Sequence, residues 1–195
     1  MRSLGDETAL FLDMIQKRNP ALIKAAAALH QSGSIPPNTY VIDLDSFEAN
    51  VRALAKSAEA NSVKLFYMTK QIGRSGFVGK TIQRNGIEKA VAVDIDEAFN
   101  LSKAGCKIGN LGHLVQPGKN QWETVLKQLR PEVVTLFSLE RARQLSDAAV
   151  RLGLKQNVIL RVISKQDFIY PGQYGGFLIN DLESSIRELQ LMSGI

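Results

Sequence analysis

The feature that most constrains this chain is a repeating order of short apolar strand and following helix, at roughly 25–30 residues per unit. The run at 63–68, VKLFYM, is almost continuously apolar, the pattern of a strand covered on both faces. Strands are expected again at 90–93, 108–115, 133–137 and 157–163. Helices are expected between them. One follows the glycine-rich turn 73–76, and Asp96 caps the next, which Gly105 stops. Others cover about 121–129 and 139–152, and a last helix at about 181–192 follows the polar, glycine-rich loop 164–176. Such alternation gives parallel strands joined by helical crossovers, in either an open doubly wound sheet or a barrel. No G-x-G-x-x-G or G-x-x-x-x-G-K-[ST] follows the early strands. That removes the commonest nucleotide-binding versions and leaves the open sheet standing. Five consecutive βα units can be counted, where a closed barrel needs eight and typically ~250 residues. A barrel reading therefore means part of a barrel, with two strand edges to be covered by further residues or another chain.

The chain ahead of these units reads differently. Residues 1–32 carry apolar side chains at helix spacing, broken into two helices at Asn19-Pro20 because the residue before proline avoids the helical region. A loop with Ser32-Gly33-Ser34 and Pro36-Pro37 follows, so 1–38 is expected as a helical extension and 39–195 as the barrel-type domain. Within the latter, 40–44 reads as a short strand, with Asp45 or Ser46 capping a helix to about Ala60.

Charge and composition narrow the classes of partner. The 24 basic and 19 acidic residues leave +5, with no run of five like charges, so no nucleic-acid footprint is expected. A mild positive bias suits a phosphorylated or carboxylate ligand. Cys106 is the one cysteine and is read as a structural thiol; beside it stand only His30 and His113, too few for a zinc cluster. Asp6, Glu7 and Asp13 interrupt the N-terminal apolar stretch, which excludes a signal peptide. No apolar run approaches the ~18 residues of a membrane span. A cytoplasmic protein without a membrane partner is expected.

Lys70 is the sharpest chemical feature. It follows the apolar strand directly, at the C-terminal edge where barrels and open sheets both build their sites. A lysine held there can form a Schiff base with a carbonyl; read from position alone, a solvated lysine at a strand–loop junction is the simpler reading.

The segment Tyr40-Val41-Ile42-Asp43-Leu44-Asp45-Ser46-Phe47, continuing Glu48-Ala49-Asn50-Val51, resembles the opening of the alanine racemase superfamily, the fold-type III pyridoxal 5′-phosphate (PLP) enzymes. Leu65-Phe66-Tyr67-Met68-Thr69-Lys70 is similar to that family's strand ending in the PLP lysine. Val91-Ala92-Val93-Asp94-Ile95-Asp96-Glu97-Ala98, running to Lys103-Ala104-Gly105, is similar to its next strand and acidic helix start. The likeness covers roughly residues 40–178 and implies an α/β fold: a PLP-binding, TIM-like β/α barrel of the alanine racemase N-terminal type, about five of eight units present. It also implies Lys70 as the Schiff-base residue and as a proton carrier on one face of an amino acid. The second base, usually a tyrosine of a C-terminal domain in the partner of a homodimer, and the main phosphate loop are expected outside this chain. Gln71-Ile72-Gly73-Arg74-Ser75-Gly76 stands where the family has Ala-Asn and a tyrosine-glycine pair, so Arg74 is the candidate stand-in for the phosphate-holding tyrosine. Asp167 and the run Pro171-Gly172-Gln173-Tyr174-Gly175-Gly176-Phe177 stand near the place of the family's Asp-Thr-Gly-Met segment.

Other residues carry two readings each. His113, at the end of the 108–115 strand, either lines the cofactor pocket and moves protons or is a hydrogen-bonded strand-end histidine. Arg161, inside a strand, needs either a carboxylate partner or the pocket, and the family position implies the pocket. Asp94 is either a pocket residue or the lead into the helix capped by Asp96. Gly73, Gly76 and Gly79 suggest a phosphate cradle or, more simply, a tight turn into a helix. His30 is read as structural, and Trp122 and Phe77 as packing helices onto the barrel. The resemblance implies a PLP-dependent amino-acid racemase, an isomerase. The alternatives are a non-catalytic PLP-binding protein, acting in cofactor homeostasis, or a truncated inactive fragment of such an enzyme.

Overall fold

The computed structural model describes residues 4–172 and 174–195, with side chains from residue 10 onward; Met1 to Ser3 and Gln173 lie outside the described residues. Two compact units divide the chain, Met1–Asn50 and Val51–Ile195.

In the first unit, α1 (Leu4–Arg18) and α2 (Pro20–Gln31) are separated at Asn19. Proline sits at the first position of α2, where its missing N–H costs nothing, and the Asn19 side chain accepts from Leu22 N at 3.1 Å. Helix α3 (Leu44–Ala60) begins in this unit and continues into the next. Its first amides are capped by Asp43, which accepts from Ser46 N at 3.1 Å, rather than by the expected Asp45 or Ser46. The expected strand at 40–44 is not formed. No strand among the described residues of this unit lies beside it to take its backbone hydrogen bonds, and Tyr40 is 76% exposed. His30 is exposed in the last turn of α2.

The second unit is the wall of a barrel. Strands β1 (Phe66–Met68), β2 (Lys89–Ala92), β3 (Lys107–Leu111), β4 (Val133–Leu136) and β5 (Val158–Leu160) pair in parallel in their order along the chain. A doubly wound sheet reverses its strand order at a switch point so that helices cover both faces. Here the order never reverses, which decides for the barrel. Strand β6 (Val162–Ile163) continues β5 after a break at Arg161 and pairs in parallel with β7 (Phe177–Leu178).

The helices pack on the outer face: α4 (Gly76–Arg84), α5 (Ile95–Lys103), α6 (Trp122–Thr124), α7 (Leu139–Arg151) and α8 (Leu182–Gln190). Outward strand residues are sealed beneath them, with Ala90, Ala92, Leu111, Val134 and Leu136 fully buried. Trp122 packs with Val134, Leu136, Leu145 and Phe177, as expected of it. Phe77 does not: it is 61% exposed on α4. The helix expected over 121–129 is α-helical only at Trp122–Thr124, then widens into a π-turn at Val125–Leu129. Arg130 closes that turn in the left-handed region, its N–H bonded to Val125 O at 3.0 Å, and Pro131 prevents continuation. At the N-terminal end of the strands, Glu132 pairs with Lys64 and, at 2.5 Å, with Lys89.

Candidate active site

Four elements bring the expected residues to the C-terminal edge of the strands. The chain leaves β1 at Thr69 (φ −110°, ψ 0°) and makes a single 3-10 turn, Lys70–Ile72, ended by left-handed Gly73. The Thr69 carbonyl accepts from the N–H groups of Ile72 and Arg74, both at 3.0 Å, so the turn closes on the residue just before Lys70. Lys70 is therefore the first side chain beyond the strand, and it is exposed.

The register between β2 and β3 shifts after Ala90: Ala90 faces Ile108, but Val91 faces Asn110. Gly109 is the extra residue of this bulge. Without it, alternation from outward Ile108 would turn Asn110 outward also; the bulge re-aims Asn110 inward. Asn110 Oδ1 accepts from Thr135 Oγ1 at 2.9 Å across β3 and β4. Gly112 then turns the chain at φ 86°, and His113 follows at the rim.

Arg161 sits in the break between β5 and β6. Its N–H donates to Leu136 O at 3.0 Å and its carbonyl accepts from Phe177 N at 2.7 Å. Its guanidinium lies 4.9 Å from the Phe137 ring centre, a cation–π placement. A cavity of about 460 Å³ opens here, lined by Asn110, His113, Thr135, Leu160, Arg161 and Val162. A larger one of about 650 Å³ lies at the opposite end of β1 and β2, beside Lys64, Phe66 and Lys89, and contains none of the expected site residues.

Two cationic side chains, Lys70 and Arg161, act on the imidazole of His113 at the rim of the first cavity. The His113 imidazole is held below the ordinary histidine pKa, first by burial, then by the positive charges of Lys70 and Arg161. Neither Lys70 nor Arg161 has a carboxylate partner among the described residues. His113 is thus a neutral proton acceptor at pH 7. Because its folded-state value lies below its unfolded one, this group costs stability as pH falls through about 6.5, where the unfolded chain binds the proton first. In an NMR titration its midpoint is expected below the ordinary histidine value of 6.5. Replacing Arg161 by Gln removes one repelling charge and is expected to raise it; an unchanged midpoint would show that Arg161 does not face the imidazole.

Asp94 and Arg74 form a second, separate pair. Arg74, at φ 56°, places Nη2 2.6 Å from Asp94 Oδ2. The other oxygen of Asp94 accepts from Glu97 N at 2.8 Å, so Asp94, not the expected Asp96, is the N-cap of α5. Neither residue lines the cavity. The glycines 76 and 79 serve helix packing: a Cβ at Gly79 would lie 2.9 Å from Cys106 Sγ, which is buried behind α4.

One buried acidic side chain escaped the sequence reading. Glu97 is fully buried, with Oε1 accepting from Thr69 Oγ1 and Oε2 from Val93 N, both at 2.8 Å. The D-x-x-E spacing from Asp94 was its available signal, since it is a capping-box pattern; its burial was not visible.

The sequence pattern of the alanine racemase N-terminal domain matches residues 42–195. The chain belongs to that family. Protein YhfX of Escherichia coli (strain K12) is 38% identical over 186 residues, which is 95% of this chain and 48% of that protein. D-threonine aldolase from Filomicrobium marinum superposes with a TM-score of 0.62 at 21% identity, over 79% of this chain and 40% of the aldolase. Diaminopimelate decarboxylase from M. jannaschii, solved with L-lysine, superposes with a TM-score of 0.63 at 14% identity, over 86% and 42% of the two chains. This alanine racemase-type domain therefore spans about half the length of the proteins it is similar to. Its fold is common to proteins named for different reactions, so the fold alone does not select one. No described helix is long and apolar enough to cross a membrane.

Proposed function

We propose that this chain is the PLP-binding part of an amino-acid racemase-like enzyme, with Lys70 Nζ as the amine that holds the cofactor. The observation that carries this reading is a cavity at the C-terminal edge of a barrel wall, lined by His113 and Arg161, with the charge of Lys70 close enough to act on the His113 imidazole. The residues fit an anionic aldehyde: an exposed primary amine to condense with it, and the Arg161 guanidinium, without a carboxylate partner among the described residues, to face its oxygens. When bound, PLP supplies an electron sink that acidifies the α-carbon of an attached amino acid.

The chain's own residues do the rest. Lys70 Nζ is the covalent anchor and the proton carrier on its face of the cavity. His113, neutral at pH 7, accepts a proton at the rim. The Arg161 guanidinium, fixed over Phe137, presents N–H donors to a carboxylate or phenolate oxygen. Arg74, paired with Asp94, steadies the turn after Lys70 from outside the cavity lining. The substrate is an amino acid, and the working form is a cytoplasmic homodimer whose remaining chain brings the second acid/base.

The test is trapping followed by exchange. Incubation with PLP, borohydride reduction and peptide mapping are expected to give one pyridoxyl group per chain, on Lys70. Adducts scattered over surface lysines would overturn the assignment. An adduct on Lys70 without exchange of any amino acid's α-proton with solvent would leave cofactor binding without catalysis.

A further inference from the structure

Glu97 is a costly residue to bury. It is fully buried, no Lys, Arg or His pairs with it among the described residues, and an unpaired buried charge is tolerated only where hydrogen bonds hold it. Its two oxygens are each engaged by one donor, each lying just past the end of a different strand. One donor is the hydroxyl of Thr69, immediately before Lys70. The other is the backbone N–H of Val93, immediately after β2. The carboxylate therefore bridges the ends of β1 and β2 beneath the turn that starts with Lys70.

Thr69 is otherwise a pivot. With its hydroxyl on Glu97 and its carbonyl taken by the Ile72 and Arg74 N–H groups, both sides of the residue are anchored. Its backbone dihedrals set the direction in which the Cα–Cβ bond of Lys70 leaves the strand. We propose that the buried Thr69–Glu97 pair is the positioning device for the Lys70 amine, holding it toward the cavity of His113 and Arg161. This rests on the reading that Lys70 carries the cofactor.

The pair predicts a specific dependence on the Thr69 hydroxyl. Thr69→Val keeps the shape of the side chain and removes the donor; Thr69→Ser keeps the donor. Two rates at Lys70 are read by peptide mapping: reductive methylation by formaldehyde, which needs no cofactor, and pyridoxylation by PLP with borohydride. Both are expressed relative to the exposed Lys103 of the same sample, and folding is checked by circular dichroism. Thr69→Val is expected to slow pyridoxylation of Lys70 by about tenfold or more, as small misplacements of reacting groups do, and to change its relative methylation rate. Thr69→Ser is expected to restore both to within about twofold of the parent. Glu97→Gln serves as a second variant and should resemble Thr69→Val. Parental rates at Lys70 in folded Thr69→Val would overturn the proposal, as would Thr69→Ser failing to restore them. If methylation of Lys70 responds while the parent protein takes no pyridoxal there, the pair positions the amine but the cofactor assignment falls. A purely structural role would lower the melting temperature and leave the rates per folded molecule unchanged.

Discussion

Lys70→Ala is expected to remove the pyridoxyl adduct completely while leaving the fold intact. The side chain is exposed, and no hydrogen bond or ion pair of its amine is recorded among the described residues, so truncation touches no packing. Surface substitutions of that kind change stability by no more than roughly 0.5 kcal/mol. The chemistry has no such tolerance. Most of the remaining lysines stand on helices or at the N-terminal ends of strands, Lys119, Lys155 and Lys165 stand in turns or loops, and none occupies the C-terminal end of β1. A second readout is independent of PLP: removing one of the two cations that repel the imidazolium raises the His113 midpoint. Persistence of a stoichiometric adduct in Lys70→Ala, by mass spectrometry, would sink the proposed function. A raised His113 midpoint with loss of the adduct would place amine and imidazole at one site.

Much of this arrangement is legible in the sequence, because parallel strands under helices carry a simple pattern. The apolar run 63–68 and the helices after it follow from period and caps, and Lys70 follows from its place at the strand end. What escaped depends on non-local geometry. The strand expected at 40–44 has β-favouring residues but no strand neighbour among the described residues of its unit. Periodicity cannot see a missing partner. Asn110 enters the cavity only because Gly109 forms a bulge, an event of register between two strands. Glu97 reads as an ordinary first-turn carboxylate of a helix, which favours it through the dipole. That it is fully buried under the Lys70 turn depends on α5 packing against β2 and β3, with Thr69 reaching it from the end of β1. The choice between Asp94 and Asp96 as the cap turned on one residue of strand length. Asp94 was then spent on Arg74 and the helix, which moved both out of the cavity lining.

Gly76→Ala is expected to destabilise the protein, against the usual direction for a glycine in a helix. In an open helix position the change removes unfolded-state entropy and favours folding by roughly 0.4–1 kcal/mol. At Gly76 the new Cβ would stand 2.3 Å from the Cβ of Ala104, at the end of α5. Both atoms are fixed to backbone, so neither side chain can swing away, and α4 and α5 must separate. Overpacking of this kind costs typically 1–3 kcal/mol, which outweighs the entropic gain. A fall of several degrees in melting temperature follows for a chain of this size. Ala104→Gly should restore much of the loss, since it removes the opposing atom; the coupling in the double-mutant cycle is expected above about 0.5 kcal/mol. The strain also has a functional side. Ser75 caps α4 by accepting from Val78 N at 3.3 Å, and the Lys70–Arg74 turn leads straight into that cap. Moving the start of α4 therefore drags on the turn, and pyridoxylation of Lys70 should slow in Gly76→Ala and recover with Ala104→Gly. A melting temperature at or above that of the parent would mean that the two helices do not approach as closely as this site requires.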